Sequence, residues 1–306
     1  DAAPEAPPPD PWADALTVAD LMALDPAAFG GVRLRGRPGP ARDLWLERLR
    51  AGLPAGTPWR KIPAHATEAR LLGGLDLAAT LSAGRPVARK GLLAEADGGV
   101  ALLAMAERAS PTTAAHLAQA LDEGRVRVER DGLGGSAEAR LGVVALDEAA
   151  EPDEAPPPAL TERLAFDIPL DRVRPHGGVP DGDLEAARDR FDSVSVDQAL
   201  VRALCGATLA LGVASPRAAI FALRVARASA ALAGRDAADE SDASLAARLV
   251  LGPRATQVPP EEMEPEEETP PDEPPPEEPP DNPEDDSAPP PEDDLAEKLA
   301  EMLIEA

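Results

Sequence analysis

Residues 30–49, GGVRLRGRPGPARDLWLERL, place the tightest constraint on what this chain can fold into. Apolar Val32 and Leu34 in a short run read as a strand. Gly36, Pro38, Gly39 and Pro40 then make a stiff turn. Leu44, Trp45, Arg48 and Leu49 follow at helical spacing on one face. Strand, glycine turn and helix form the layout of a loop that cradles phosphates, with backbone N–H groups and a helix start turned to the anion. The working pattern is G-x-x-x-x-G-K-[ST].

The layout is present without that chemistry. Gly36 stands for the first glycine, but Ala41 occupies the place of the second. Arg42 takes the place of the lysine, and Asp43 that of the Ser/Thr whose hydroxyl would bind Mg²⁺. Pro38 and Pro40 remove two backbone donors. Two readings stand here: an ordinary strand-turn-helix with no ligand, and a nucleotide loop that has decayed.

At 306 residues the chain suffices for one large or two modest domains. A net charge of −26 argues against nucleic acid and anionic membrane surfaces as partners. That charge is unevenly spread. Residues 258–294 hold 17 Asp/Glu and no Lys/Arg, which leaves −9 of the −26 for the rest. Cys205 is the single cysteine, so no disulfide framework forms and a reducing, cytoplasmic setting fits. His65, His116 and His176 are too scattered to suggest a zinc site. No apolar run of about 18 residues and no signal peptide is visible. The chain starts at Asp1 rather than Met and stops on an amphipathic helix, as a fragment would.

Residues 1–10 are Pro/Ala-rich and read as a disordered tail. Residues 16–24 read as a short helix that Asp25-Pro26 ends. Residues 53–63 read as a loop. Leu75, Leu77, Ala78 and Leu81 fit a helix after Gly73-Gly74, stopped at Gly84. Residues 91–95 begin another helix. Val100 to Met105 reads as a buried strand, 112–121 as a helix, 125–130 as a half-exposed strand, and 141–146 as a second buried strand. Residues 159–164 and a strand at 166–168 follow. The alternation predicts an α/β domain with a parallel sheet over 11–175. Residues 184–191, 197–211, 216–232 and 243–251 predict a small all-helical domain over 176–257. Residues 258–294 read as an extended acidic, Pro-rich linker, and 295–306 as the start of a further helical segment.

An α/β domain with a phosphate-loop layout followed by a small helical lid resembles AAA+ ATPases. The runs GGVRLRGRPGPARD, ATEARLLGGLDLAATLSAGRPVARKGLLAEADGG and GRVRVERDGL resemble the AAA+ part of magnesium chelatase, most closely its D subunit in the bacteriochlorophyll pathway. The resemblance covers roughly residues 11–256, and residues 258–294 resemble that subunit's linker. It implies a complex of I, D and H subunits that uses ATP to insert Mg²⁺ into protoporphyrin IX. The I subunit is there the active ATPase and the H subunit binds porphyrin, while D contributes a self-associating partner ring. The family's integrin-like domain would lie beyond Ala306.

Carried over residue by residue, the resemblance implies mostly losses. Gly36, Gly39, Arg42 and Asp43 form a degenerate Walker A. On the Walker B strand, Ala104 stands for the Mg²⁺-binding Asp and Met105 for the water-activating Glu. Sensor 1 falls near Asp147 or Glu148, where an acid repels a γ-phosphate. Glu107 lies too far along to replace the lost carboxylates. Two arginines run the other way. Arg163 matches the family's arginine finger, which acts on the neighbouring subunit's nucleotide. Its alternative is a surface arginine paired with Glu162 or Asp167. Arg217 resembles the sensor-2 arginine, and its alternative is a solvated first-turn arginine. Asp192-Ser193-Val194-Ser195 has the wrong spacing for a D-x-S-x-S metal site, so no metal site is expected.

The function implied is a non-catalytic AAA+ subunit of magnesium chelatase, with ATP and Mg²⁺ held mainly on the partner. The alternatives are a weak ATPase that relies on Arg42, and an acidic scaffold without nucleotide chemistry.

Overall fold

The computed structural model describes residues 10–257, apart from 131–132, 152, 172 and 178–182. The expected linker and the helical segment after it lie outside the described residues, as does the tail except for Asp10.

Asp10 is the cap of the first helix, α1 (Pro11–Leu24). Its carboxylate accepts the Trp12 N–H at 3.0 Å, and Pro11 supplies a preset φ where a helix needs no donor. The helix is therefore longer than the expected 16–24, and it ends at Asp25 as Pro26 dictates. Strand β1 (Gly31–Arg35) leads through the glycine-proline turn into α2 (Pro40–Gly52). Trp45 and Leu49 are fully buried against α1, and the Trp45 indole donates to the Ala15 carbonyl at 2.6 Å. Arg48 on the same face forks onto Asp20, with both bonds at 2.8 Å. Leu44, expected on that face, is 45% exposed.

The expected loop at 53–63 contains β2 (Trp59–Ile62), an edge strand that leaves Arg60 and Lys61 exposed. An excursion follows: α3 (Glu68–Leu72), β3 (Gly73–Leu75), α4 (Leu77–Ala83) and β4 (Ala88–Lys90), with β3 and β4 antiparallel. The expected helix thus begins at Leu77, and Leu75 belongs to a strand. Then come α5 (Leu92–Glu95), β5 (Val100–Leu103) and α6 (Pro111–Glu123), which Gly124 stops in a left-handed cap. Strands β6 (Arg125–Arg130) and β7 (Leu133–Glu138) form a separate antiparallel hairpin. Fully buried β8 (Gly142–Asp147), short α7 (Pro158–Thr161) and β9 (Phe166–Pro169) complete the α/β part.

The main sheet has the order β2-β5-β8-β1-β9, and all of its pairings are parallel. In such a sheet every turn that leaves a strand's carboxyl end lies on one edge. The turn after β1, the residues after β5 and those after β8 therefore converge.

The helical part comprises α8 (Leu184–Phe191), α9 (Gln198–Ala210), α10 (Pro216–Leu232) and α11 (Glu240–Ala246), then a π-helical turn at Ala247–Leu251. It is not packed as a separate body. Val225, Ala226 and Leu249 share one hydrophobic cluster with α1, Trp45, Val32 and Phe166. Phe29 joins the two parts, its ring 5.5 Å from Phe166 and 6.2 Å from Phe191.

Candidate functional site

The turn after β1 is committed to its own chain. Gly36 has φ +149°, and its N–H donates to the Asp147 carbonyl at 2.9 Å. A Cβ there would come within 2.9 Å of the Asp171 carboxylate, so the turn needs glycine. Gly39 precedes the first residue of α2, and the Asp43 N–H closes back on its carbonyl at 3.0 Å. With Pro38 and Pro40 donating nothing, few backbone N–H groups remain to face an anion.

Arg42, in the lysine position, is engaged. Its Nη1 bonds Glu148 Oε1 at 2.7 Å, with the arginine side chain 12% and the glutamate 25% exposed. Glu148 thus neutralises the charge of Arg42. Glu148 is fixed in turn, because its N–H donates to Glu107 Oε2 at 3.0 Å. Asp147 belongs to another pair: Arg33 donates to its Oδ2 from Nε at 2.7 Å and Nη2 at 2.5 Å. Asp43 is exposed.

After β5, Ala104 donates its N–H to the Ile62 carbonyl and Met105 turns outward in a left-handed conformation, φ 49°. Neither offers an oxygen ligand from its side chain. Glu107, the nearby carboxylate, is buried and holds Glu148 in place. A cleft of about 580 Å³ lies beside the turn, with Arg37, Arg42, Arg174 and Asp171 among its lining residues. These residues do not fit MgATP in the manner of a working site: the carboxylates that would hold the metal and activate water are missing. Among the described residues, no cluster of His, Cys, Asp or Glu is arranged to hold a metal ion.

Arg163 and Arg217 stand at the other end of the sheet. Gly30, which precedes β1, has φ +66°, and a Cβ there would collide with the Arg163 carbonyl. Arg163 therefore sits at the amino end of the strand whose carboxyl end carries the loop, a strand length of roughly 16 Å away. Its Nε and Nη2 bond Asp122 Oδ2 at 2.8 and 2.6 Å, and its Nη1 bonds the Ala159 carbonyl at 2.7 Å. Arg217, in the first turn of α10, places Nη1 2.9 Å from Asp122 Oδ1. The partner of Arg163 is therefore neither Glu162 nor Asp167, and Arg217 is paired rather than merely solvated. Partial burial resists ionisation of Asp122, but the hydrogen bonds and charges of Arg163 and Arg217 outweigh it and hold the carboxyl below its ordinary value. Sequence reasoning passed over Asp122, since no local pattern joins a helix end to two distant arginines.

Comparisons with known proteins agree with this architecture. An AAA lid domain family matches residues 201–275. The chain is 38% identical over 239 residues to the magnesium-chelatase 60 kDa subunit of Rhodobacter capsulatus, covering 77% of this chain and 39% of that protein. It is 41% identical over 265 residues to the subunit of that name from Cereibacter sphaeroides, covering 82% and 43%. It is 32% identical over 264 residues to the magnesium-chelatase 67 kDa subunit of Chlorobaculum parvum, covering 79% and 42%. The chain thus spans about two fifths of the length of these relatives. Among solved structures, a putative ATPase from Cytophaga hutchinsonii superposes with a TM-score of 0.57 at 18% identity, over 80% of this chain and 88% of that one. A full-length MCM homolog from Methanopyrus kandleri gives 0.56 at 18%, over 78% and 55%. Parallel sheet, lid and relatives agree: the chain has an α/β core followed by an AAA-type lid, and it is similar over about four fifths of its length to the magnesium-chelatase 60 and 67 kDa subunits.

Proposed function

We propose that this chain serves as a non-catalytic AAA+ subunit of magnesium chelatase, the D subunit, and joins an active AAA+ subunit in a ring. There it supports ATP-driven insertion of Mg²⁺ into protoporphyrin IX, with the porphyrin held by a third subunit. The observation that carries this reading is the separation of the arginines from their own loop. Arg163 and Arg217 lie at the amino end of the sheet, while the degenerate loop at the carboxyl end is filled by Arg42 and Glu148. An arginine this far from its own loop suits a neighbour's site, where a finger stabilises transition-state charge. Homology to the chelatase subunits supplies the reaction.

In this reading the chain's own residues bind no metal and activate no water. Arg163 is the trans finger and Arg217 its companion from the lid. ATP and Mg²⁺ belong to the partner's site, and the Mg²⁺ that enters the porphyrin is substrate. The site is proposed to work in the cytoplasm, and no helix among the described residues is long and apolar enough to cross a membrane.

The test is ATP hydrolysis by the chain alone and by a mixture with the active AAA+ partner. The chain alone is expected to be silent. In the mixture, Arg163→Ala is expected to lower turnover by on the order of 100-fold or more. Equal rates with and without the substitution would end the finger assignment, and turnover by the chain alone would return Arg42 to the role of a working phosphate ligand.

A further inference from the structure

We propose that Asp122 is a positioning residue, a single carboxylate that fixes the guanidiniums of Arg163 and Arg217 side by side for an adjoining subunit's nucleotide. The inference rests on the trans reading of Arg163 and adds a group that this reading leaves out.

The two carboxylate oxygens are divided between the arginines. Oδ2 takes Arg163 through Nε and Nη2, and Oδ1 takes Nη1 of Arg217. With the Ala159 carbonyl on Nη1, all three guanidinium nitrogens of Arg163 are committed to fixed partners. Arg217 arrives from the lid and Asp122 from the last turn of α6. One side chain therefore sets the distance between a cation of the α/β part and a cation of the lid.

Without that carboxylate the two cations would repel and splay, each along a long flexible stem. With it, the cluster keeps a net positive charge and still attracts a polyphosphate. The side chains remain partly open, 21% exposed for Arg163, 42% for Arg217 and 29% for Asp122, so an incoming anion meets them at the surface. Stability accounts for part of the arrangement, because a carboxylate shared by two arginines is a small charge network. Preorganisation accounts for it better, since a charge-stabilising group acts only when already in place as the transition state forms. Asp122 also lines a cleft of about 810 Å³ whose arginines, Arg224 and Arg227 among them, are matched by carboxylates such as Asp25 and Glu138. Arg224 there donates to the Ala28 carbonyl at 2.6 Å, and the buried Nε of Arg227 has no hydrogen-bond partner.

The test measures ATP turnover in the mixed complex for the native chain, Arg163→Ala, Asp122→Asn and Asp122→Glu, with assembly followed by sedimentation. Asp122→Asn is expected to lower kcat by about tenfold or more, because a misplaced catalytic group costs rate steeply. KM for ATP and the sedimentation profile are expected to stay unchanged, and Asp122→Glu to restore most of the rate. A native kcat in Asp122→Asn beside a lost rate in Arg163→Ala would overturn the positioning role alone. A rate lost only in step with lost assembly would overturn it too, by making Asp122 a structural tie. A native rate in Arg163→Ala would remove the finger and the positioning role together.

Discussion

The ion pairs of single residues carry the site's character. Arg42 is nearly enclosed, so Glu148→Ala would leave a cation without its partner in a poorly solvated place. The expected cost is about 1–3 kcal/mol of unfolding free energy, read from urea denaturation at neutral pH. Glu148→Gln should cost less, because its amide oxygen still accepts from Arg42. Asp122 gives a pH signature. Its carboxyl is held below the ordinary value, so its stabilisation is complete above the unfolded carboxyl's pKa of about 3.9 and is lost as pH falls through the lower folded value. The stability difference between the native chain and Asp122→Asn is therefore expected to be flat from about pH 5 to 8 and to shrink under stronger acid. A difference that varied between pH 6 and 8 would point to another group.

At the scale of elements, α2 shows how a turn is anchored. The Trp45 indole is fully buried and its N–H ends on the Ala15 carbonyl of α1. Trp45→Ala removes that packing and leaves a cavity, so a loss of about 3–5 kcal/mol is expected by chemical denaturation. The buried strands and capped helices were legible from sequence because each carries its own signal. Leu103 and Leu146 lie in apolar runs, and Gly84 and Gly124 stop helices where expected. What escaped was what lacks such a signal. β2 is an edge strand with Arg60 and Lys61 in solvent, so it shows no apolar run. β3 and β4 are too short for an alternation to register. Leu44 keeps helical spacing with Trp45, yet it sits on the open side of the α1–α2 pair and lines a cleft. The departures of residues 36–43 from the phosphate-loop pattern are readable position by position. That Arg42 is taken by Glu148, and Arg163 by Asp122, depends on which strand ends meet across the sheet.

At the scale of the whole molecule, the α/β part and the lid share one core through Phe29, Phe166 and Phe191. Neither part can expose that cluster alone without a large cost in apolar area. Residues 10–257 are therefore expected to unfold in one calorimetric transition, with the van't Hoff enthalpy equal to the calorimetric one; two resolved transitions would contradict the shared core. The Arg42–Glu148 pair has a last consequence in the currency of ligand linkage. A protein that binds a ligand only when folded gains stability with ligand concentration, about 2.7 kcal/mol at a hundredfold excess over Kd. Here Arg42 already meets a carboxylate of the same chain, so any gain from that pairing is built in and does not vary. The melting temperature should stay level as ATP is titrated in. A melting temperature that rose with ATP would show that the pair gives way to the anion.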